Sequence, residues 1–196
     1  MYTEQLQSLL KQNGGVLQTR EVARAGIPNI YLAKYVKQGK LERISHGIYL
    51  SPDVLEDKMF VLQNRRKRIV FSHDTALYLH DLTDRDPLTY TVTVPTGYNT
   101  KNLMLDGLTV FSIKMDLYRV GICTMKTSFG RPIQTYNMER TICDMVRSRN
   151  RMDSALLPNA LKQYIRRKDK KIFLLMRYSR LFHIESILRP YLEVLL

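Results

Sequence analysis

Tyr31, Lys34, Tyr35 and Gln38 fall at i, i+3, i+4 and i+7, so a helix through them gathers hydroxyls, an amide and a cation on one side. Such groups donate to phosphate oxygens and to base edges such as O6 and N7 of guanine. Arg20, Lys37, Lys40 and Arg43 flank the set, and His46 stands before Gly47 in a short turn. If about five of these cations neutralise phosphates, the logarithm of affinity falls with the logarithm of salt concentration with a slope of about −4 to −5 per chain. A second basic set, Arg140, Arg147, Arg149, Arg151, Arg166, Arg167, Lys168, Lys170 and Lys171, crowds the C-terminal part. It suits a further nucleic-acid contact or an electropositive face for an acidic protein or an RNA. In most helices a lysine-bearing face is only a solvated surface, and tyrosines at helical spacing often seal a core. The elements that position these residues therefore decide between the readings.

Catalytic chemistry finds little to work with. No P-loop, GxGxxG or GxSxG stretch occurs, so neither a phosphate cradle nor a nucleophile elbow is supported. His73 and His80 are two helical turns apart, too far for an i, i+4 metal pair, and read as capping or core residues. Asp81, Asp84 and Asp86 could hold Mg²⁺ for phosphoryl transfer, but they stand beside Arg85 and Pro87, where Asp is a common turn residue. No predicted strand carries an Asp-x-Lys or Glu-x-Lys pair of the kind nucleases use. The reading is a non-enzyme with no catalytic residue, no metal and no cofactor; a metal-dependent phosphoryl-transfer enzyme on the aspartates is the rival. Cys123 and Cys143 lack partners at metal or CxxC spacing and are expected to be buried thiols.

The chain has 196 residues and a net charge of +13, with 44% hydrophobic residues. That supply of apolar side chains fills a core and argues against global disorder, and the excess charge favours a polyanionic partner. Residues 1–51 carry seven basic and three acidic side chains, and residues 138–196 carry thirteen and six, so the excess sits at the two ends. Met1–Gln5 has no signal-peptide character and the longest strictly apolar run is Ile172–Met176, which predicts a cytoplasmic protein without a membrane anchor.

Tyr2, Leu6, Leu9 and Leu10 lie on one helix face, stopped at Asn13-Gly14-Gly15. Short helices follow over 20–25 and from Pro28 to about Gln38, with Ile30, Ala33 and Val36 or Lys37 facing inward. Leu41–Ser45 and Ile48–Leu50 read as a hairpin turning at His46-Gly47. Ser51-Pro52-Asp53 should open a fourth helix to about Arg66, and Ser72 should cap another ending near Leu82. Strands are predicted over 89–94, 109–114, 123–127 and 131–136, then helices over 137–149, 153–167 and from Lys171 onward in two pieces. Helices followed by a hairpin match a winged helix-turn-helix, in which the later helix enters the major groove. The predicted class is α+β: an N-terminal winged helix-turn-helix DNA-binding domain with following helices over 1–85, then a C-terminal domain of a small β-sheet packed with helices over 86–196.

Gly39-Lys40-Leu41-Glu42-Arg43-Ile44-Ser45-His46-Gly47-Ile48-Tyr49, Ser72-His73-Asp74-Thr75-Ala76-Leu77-Tyr78-Leu79-His80-Asp81-Leu82 and Thr91-Val92-Thr93-Val94-Pro95-Thr96-Gly97-Tyr98 resemble the AbiEi family, over roughly residues 4–147. These are antitoxins of abortive-infection, type IV toxin-antitoxin systems in phage defence. The resemblance implies a winged helix that binds inverted repeats in its own promoter and represses its operon. It also implies a C-terminal antitoxin domain that counteracts a nucleotidyltransferase-like toxin, with which it need not form a stable complex. His46 departs from the Arg that such wings often carry before the Gly, which weakens the wing contact or makes it pH-sensitive. A winged-helix regulator without antitoxin activity is the other open reading.

Overall fold

The computed structural model describes residues 1–195, which form two compact units, residues 1–67 and 68 onward. The architecture is α+β, with a small sheet in each unit.

The first unit opens with α1 (Tyr2–Gln12), whose Leu6 is fully buried, then β1 (Val16–Gln18) and α2 (Thr19–Arg24). The Gln18 backbone N–H donates to Glu21 Oε2 at 3.2 Å and fixes the entry to α2. Gly26 then turns the chain at φ +70° into α3 (Ile30–Lys37). A hairpin of β2 (Glu42–Ser45) and β3 (Ile48–Leu50) follows, and β1 pairs on the free side of β3, so the antiparallel sheet runs β1-β3-β2. Leu6, Leu17, Val22, Ile27, Leu32, Tyr35 and Leu41 form one core across these elements. Burial of each large aliphatic side chain there contributes about 1.5–3 kcal/mol, an upper range for a chain already part-collapsed when unfolded. The unit closes with α4 (Lys58–Arg65), shorter than the helix expected from Ser51: buried Asp57 sets its start by accepting from the Phe60 N–H at 3.0 Å.

The second unit holds β4 (Val70–Phe71), α5 (His73–Leu79), β5 (Thr91–Pro95), α6 (Lys101–Leu105), β6 (Thr109–Ile113), α7 (Met115–Tyr118), β7 (Ile122–Lys126) and β8 (Pro132–Tyr136). Four helices complete it: α8 (Met138–Arg147), α9 (Leu156–Arg166), α10 (Ile172–Leu181) and α11 (Glu185–Leu195). The five strands run β6-β5-β4-β8-β7, with β5–β6 and β4–β8 parallel and β4–β5 and β7–β8 antiparallel. Two-residue β4 sits at the centre of this mixed sheet, which places the boundary between units at Lys67/Arg68 rather than the expected 85/86. Pro158 lies in the first turn of α9, where its missing N–H costs nothing, so that helix starts at Leu156 instead of 153.

Helix α8 is the hub of the second core. Ile142, Cys143, Met145 and Val146 are fully buried with Leu77, Leu161, Tyr164, Leu175 and Leu188. Gly121 meets α8 closely at φ +79°, where a Cβ would lie 2.7 Å from the Arg140 Cβ, so only glycine fits without displacement. Both cysteines are free thiols; Cys143 is buried and Cys123 half-buried. No described helix is long and apolar enough to cross a membrane.

Candidate nucleic-acid interface

Helix α3 buries Leu32 and Tyr35 and exposes Ile30, Ala33, Lys34, Val36 and Lys37. Ile30, Ala33, Lys34 and Lys37 keep an i, i+3, i+4, i+7 spacing one residue earlier than expected, and the residues expected to face inward, Ile30, Ala33, Val36 and Lys37, are all exposed. Tyr35, expected outside, is 1% exposed and donates its hydroxyl to the Thr3 carbonyl at 3.1 Å, while Ile30, expected inside, is 73% exposed. The reason lies in the ring: it buries a large apolar area, and one backbone acceptor satisfies its polar end. Burial also raises the Tyr35 phenol above its ordinary pKa. Tyr31 is half-buried, its ring 5.4 Å from that of Tyr2. Ile30 and Ala33 are the face residues that sequence reasoning missed; buried Leu32, three positions before Tyr35, was the available signal.

The other expected contacts remain at the surface. Lys34, Lys37, Gln38, Lys40, Arg43, His46 and Arg20 are all exposed. Lys40 Nζ lies 5.3 Å from the centre of the Tyr35 ring, so the buried phenol orients that cation at the end of α3. In the hairpin, Arg43 Nη2 and His46 Nδ1 are 3.2 Å apart. Gly47 turns the hairpin at φ +74° and accepts a hydrogen bond from the Thr19 N–H at 2.9 Å. That bond ties the hairpin turn to the first turn of α2. The result is a lysine-bearing helix face and an arginine-bearing hairpin in one small unit, chemistry suited to phosphate contacts.

The second basic set divides. Arg140 is not on a face at all: its side chain is fully buried, with Nε donating to Asp144 at 2.9 Å and Nη1 donating to the carbonyls of Leu117 and Val120 at 2.6 and 2.7 Å. The rings of Tyr136 and Phe182 lie 4.2 and 4.4 Å from its guanidinium carbon. A buried carboxylate one helical turn away supplies the compensation that burial of the charge requires. Arg147, Arg149 and Arg151 follow at the end of α8 and are exposed, Arg147 pairing with Asp144 at 3.3 Å. Arg166, Lys168 and Lys171 are exposed elsewhere in the sequence of α9 and its following loop. Arg167 is held by Asp169 at 2.8 Å and donates to the His80 carbonyl, and Lys170 donates to the Arg167 carbonyl. Pairing with Asp169 raises the Arg167 pKa, so these two cations serve local structure first.

His73 and His80 are structural. His73 is buried between the hydroxyls of Ser72 and Ser148, and burial lowers its pKa to about 4. His80 donates to the Tyr136 carbonyl at 2.6 Å. Among the described residues no group of three or more His, Cys, Asp or Glu is placed to hold a metal ion, Asp81, Asp84 and Asp86 included.

Comparison with known proteins finds a likeness to one family within the first unit. Residues 4–52 match the model of the AbiEi antitoxin transcriptional regulators. The matched span covers α1 through the hairpin, a quarter of the chain and less than the resemblance over 4–147 suggested. AbiEi antitoxins form a family of regulators. Comparison with curated proteins finds no match. The crystal structure of the RV2827C protein from Mycobacterium tuberculosis is similar with a TM-score of 0.58 at 11% identity, over 91% of this chain and 71% of that one. At that identity the likeness is one of fold, and it extends across both units.

Proposed function

We propose that residues 1–67 form a winged helix-turn-helix that binds double-stranded DNA, with α3 as the reading helix and the β2–β3 hairpin as the wing. The protein acts in the cytoplasm as the antitoxin of an abortive-infection system and represses its own operon at inverted repeats. Residues 68–196 carry the antitoxin activity against a nucleotidyltransferase-like toxin, with or without a stable complex. The observation that carries the DNA reading is the exposed i, i+3, i+4, i+7 face of α3, with Lys34 and Lys37, inside the stretch matched by a family of transcriptional regulators. Lys40, Arg43, His46 and Arg20 add exposed donors around it, while Tyr35 lies in the core and makes no DNA contact.

A reporter driven by the protein's own promoter tests this. The wild-type chain silences it, and Lys34→Ala with Lys37→Ala relieves silencing at equal protein level. Silencing by the double variant as strong as by wild type removes α3 as the reader. Co-expression with the adjacent toxin separates the two activities: the same variant still rescues growth if the second unit is the antitoxin.

A further inference from the structure

The second unit contains a cavity of about 350 Å³ that the DNA-binding reading leaves unused. Its size is at the lower end of the range for small-molecule sites, about 300–1,000 Å³. Four arginines line it, Arg140, Arg147, Arg149 and Arg151, against one acidic residue, Asp144. Asp144 is already engaged by Arg140 and Arg147. The cavity therefore carries three positive charges in excess.

Two of these cations are built in place. Arg140 is locked by three hydrogen bonds and two aromatic rings, yet its buried Nη2 has no hydrogen-bond partner among the described residues. A buried donor of this kind calls for an acceptor. Arg151 rests over the Phe111 ring at 4.4 Å, and that ring stacks on His73 at 3.7 Å and 17°. His73 itself is held at φ +52°, a left-handed conformation that non-glycine residues seldom adopt outside well-braced sites. Exposed Ser112 adds a hydroxyl at the rim.

We propose that this cavity binds the polyphosphate group of a small phosphorylated molecule of the nucleoside di- or triphosphate class. A phosphate monoester carries about −1.5 to −2 charges at pH 7, so an excess of three cations matches two phosphate groups better than one. The phosphates meet Arg147, Arg149 and Arg151, whose planar donors suit phosphate oxygens, while fully buried Arg140 balances Asp144 beneath them. A concave site of about 350 Å³ encloses a small ligand, whereas a duplex backbone lies along an open surface, which favours the small ligand over nucleic acid. The site stands independently of the proposal for residues 1–67.

Calorimetry on the full chain, with inorganic pyrophosphate and a nucleoside triphosphate as probes, tests this. Both bind wild type, and Arg151→Gln weakens them about tenfold or more, as loss of a charged hydrogen-bond donor does. Ser112→Glu, which puts a carboxylate at the exposed rim without touching the core, weakens them as much. Arg166→Gln, outside the cavity, leaves binding unchanged. Absence of heat at millimolar pyrophosphate, equal binding by wild type and both cavity variants, or equal weakening by Arg166→Gln overturns the assignment. So does an RNA that binds with Arg151 and Ser112 dependence while pyrophosphate does not.

Discussion

Replacing Arg140 with Met tests whether its charge serves the fold or a partner. The side chain is fully buried, pairs with Asp144 at 2.9 Å and donates to the carbonyls of Leu117 and Val120. Removing one member of a buried ion pair costs about 3–5 kcal/mol, chiefly because the remaining charge is stranded. Arg147, at 3.3 Å and partly exposed, compensates Asp144 only in part, so a loss of about 4 kcal/mol is expected. With a urea dependence of about 2 kcal/mol per M, the unfolding midpoint falls by about 2 M. Urea titration of the full chain, followed by circular dichroism, measures it. Arg140→Met with Asp144→Leu should cost less than the two single changes added, by about 1–3 kcal/mol, because no charge is then left alone. A midpoint unmoved by Arg140→Met, with loss of toxin neutralisation alone, would refute the structural role.

Tyr35→Phe removes the hydrogen bond to the Thr3 carbonyl but keeps the buried ring; it should destabilise the chain by about 1 kcal/mol and leave DNA affinity unchanged, which urea titration and a mobility-shift assay check together. His73 makes stability pH-dependent. Burial lowers its pKa from 6.5 to about 4, so between these values the unfolded chain binds more protons than the folded one. The contribution is complete above pH 6.5 and is lost as the pH falls toward 4, in all about 3 kcal/mol. His73→Asn, tolerated at positive φ, should flatten this part of the urea-midpoint profile between pH 7 and 4; identical profiles for both proteins would contradict the assignment.

Much of the architecture is legible in apolar spacing and turn chemistry. Leu6 is buried as the α1 pattern requires, Gly47 adopts positive φ in the hairpin, and β6, β8 and the helices after Asn137 lie within a few residues of their predicted ranges, whereas the one-turn helices α6 and α7 between the strands were not expected. What escaped shares a physical cause: amphipathic or paired side chains whose polar ends find partners inside. Tyr35 reads as a polar contact until the Thr3 carbonyl is seen above it. Arg140 reads as surface charge, although Asp144 at i+4 was a visible partner. Ser72 precedes α5 as a cap should, but its hydroxyl accepts from Thr93 and pairs with His73 instead. Strand β4 has two residues, too few for a period, and so the unit boundary was placed late; the run Arg65-Arg66-Lys67-Arg68 ahead of buried Ile69 marks it. The cavity was not legible, since residues from 73 to 184 converge on it.

The central claim is that α3 and the hairpin hold duplex DNA through exposed cations, and the salt dependence of binding to the promoter repeats tests it most directly. Arg20, Lys34, Lys37, Lys40 and Arg43 are exposed, which predicts a slope of log affinity against log salt of about −4.5 per chain. Lys34→Ala combined with Arg43→Ala should bring it to about −2.7. A wild-type slope that the double variant leaves unchanged would contradict the account.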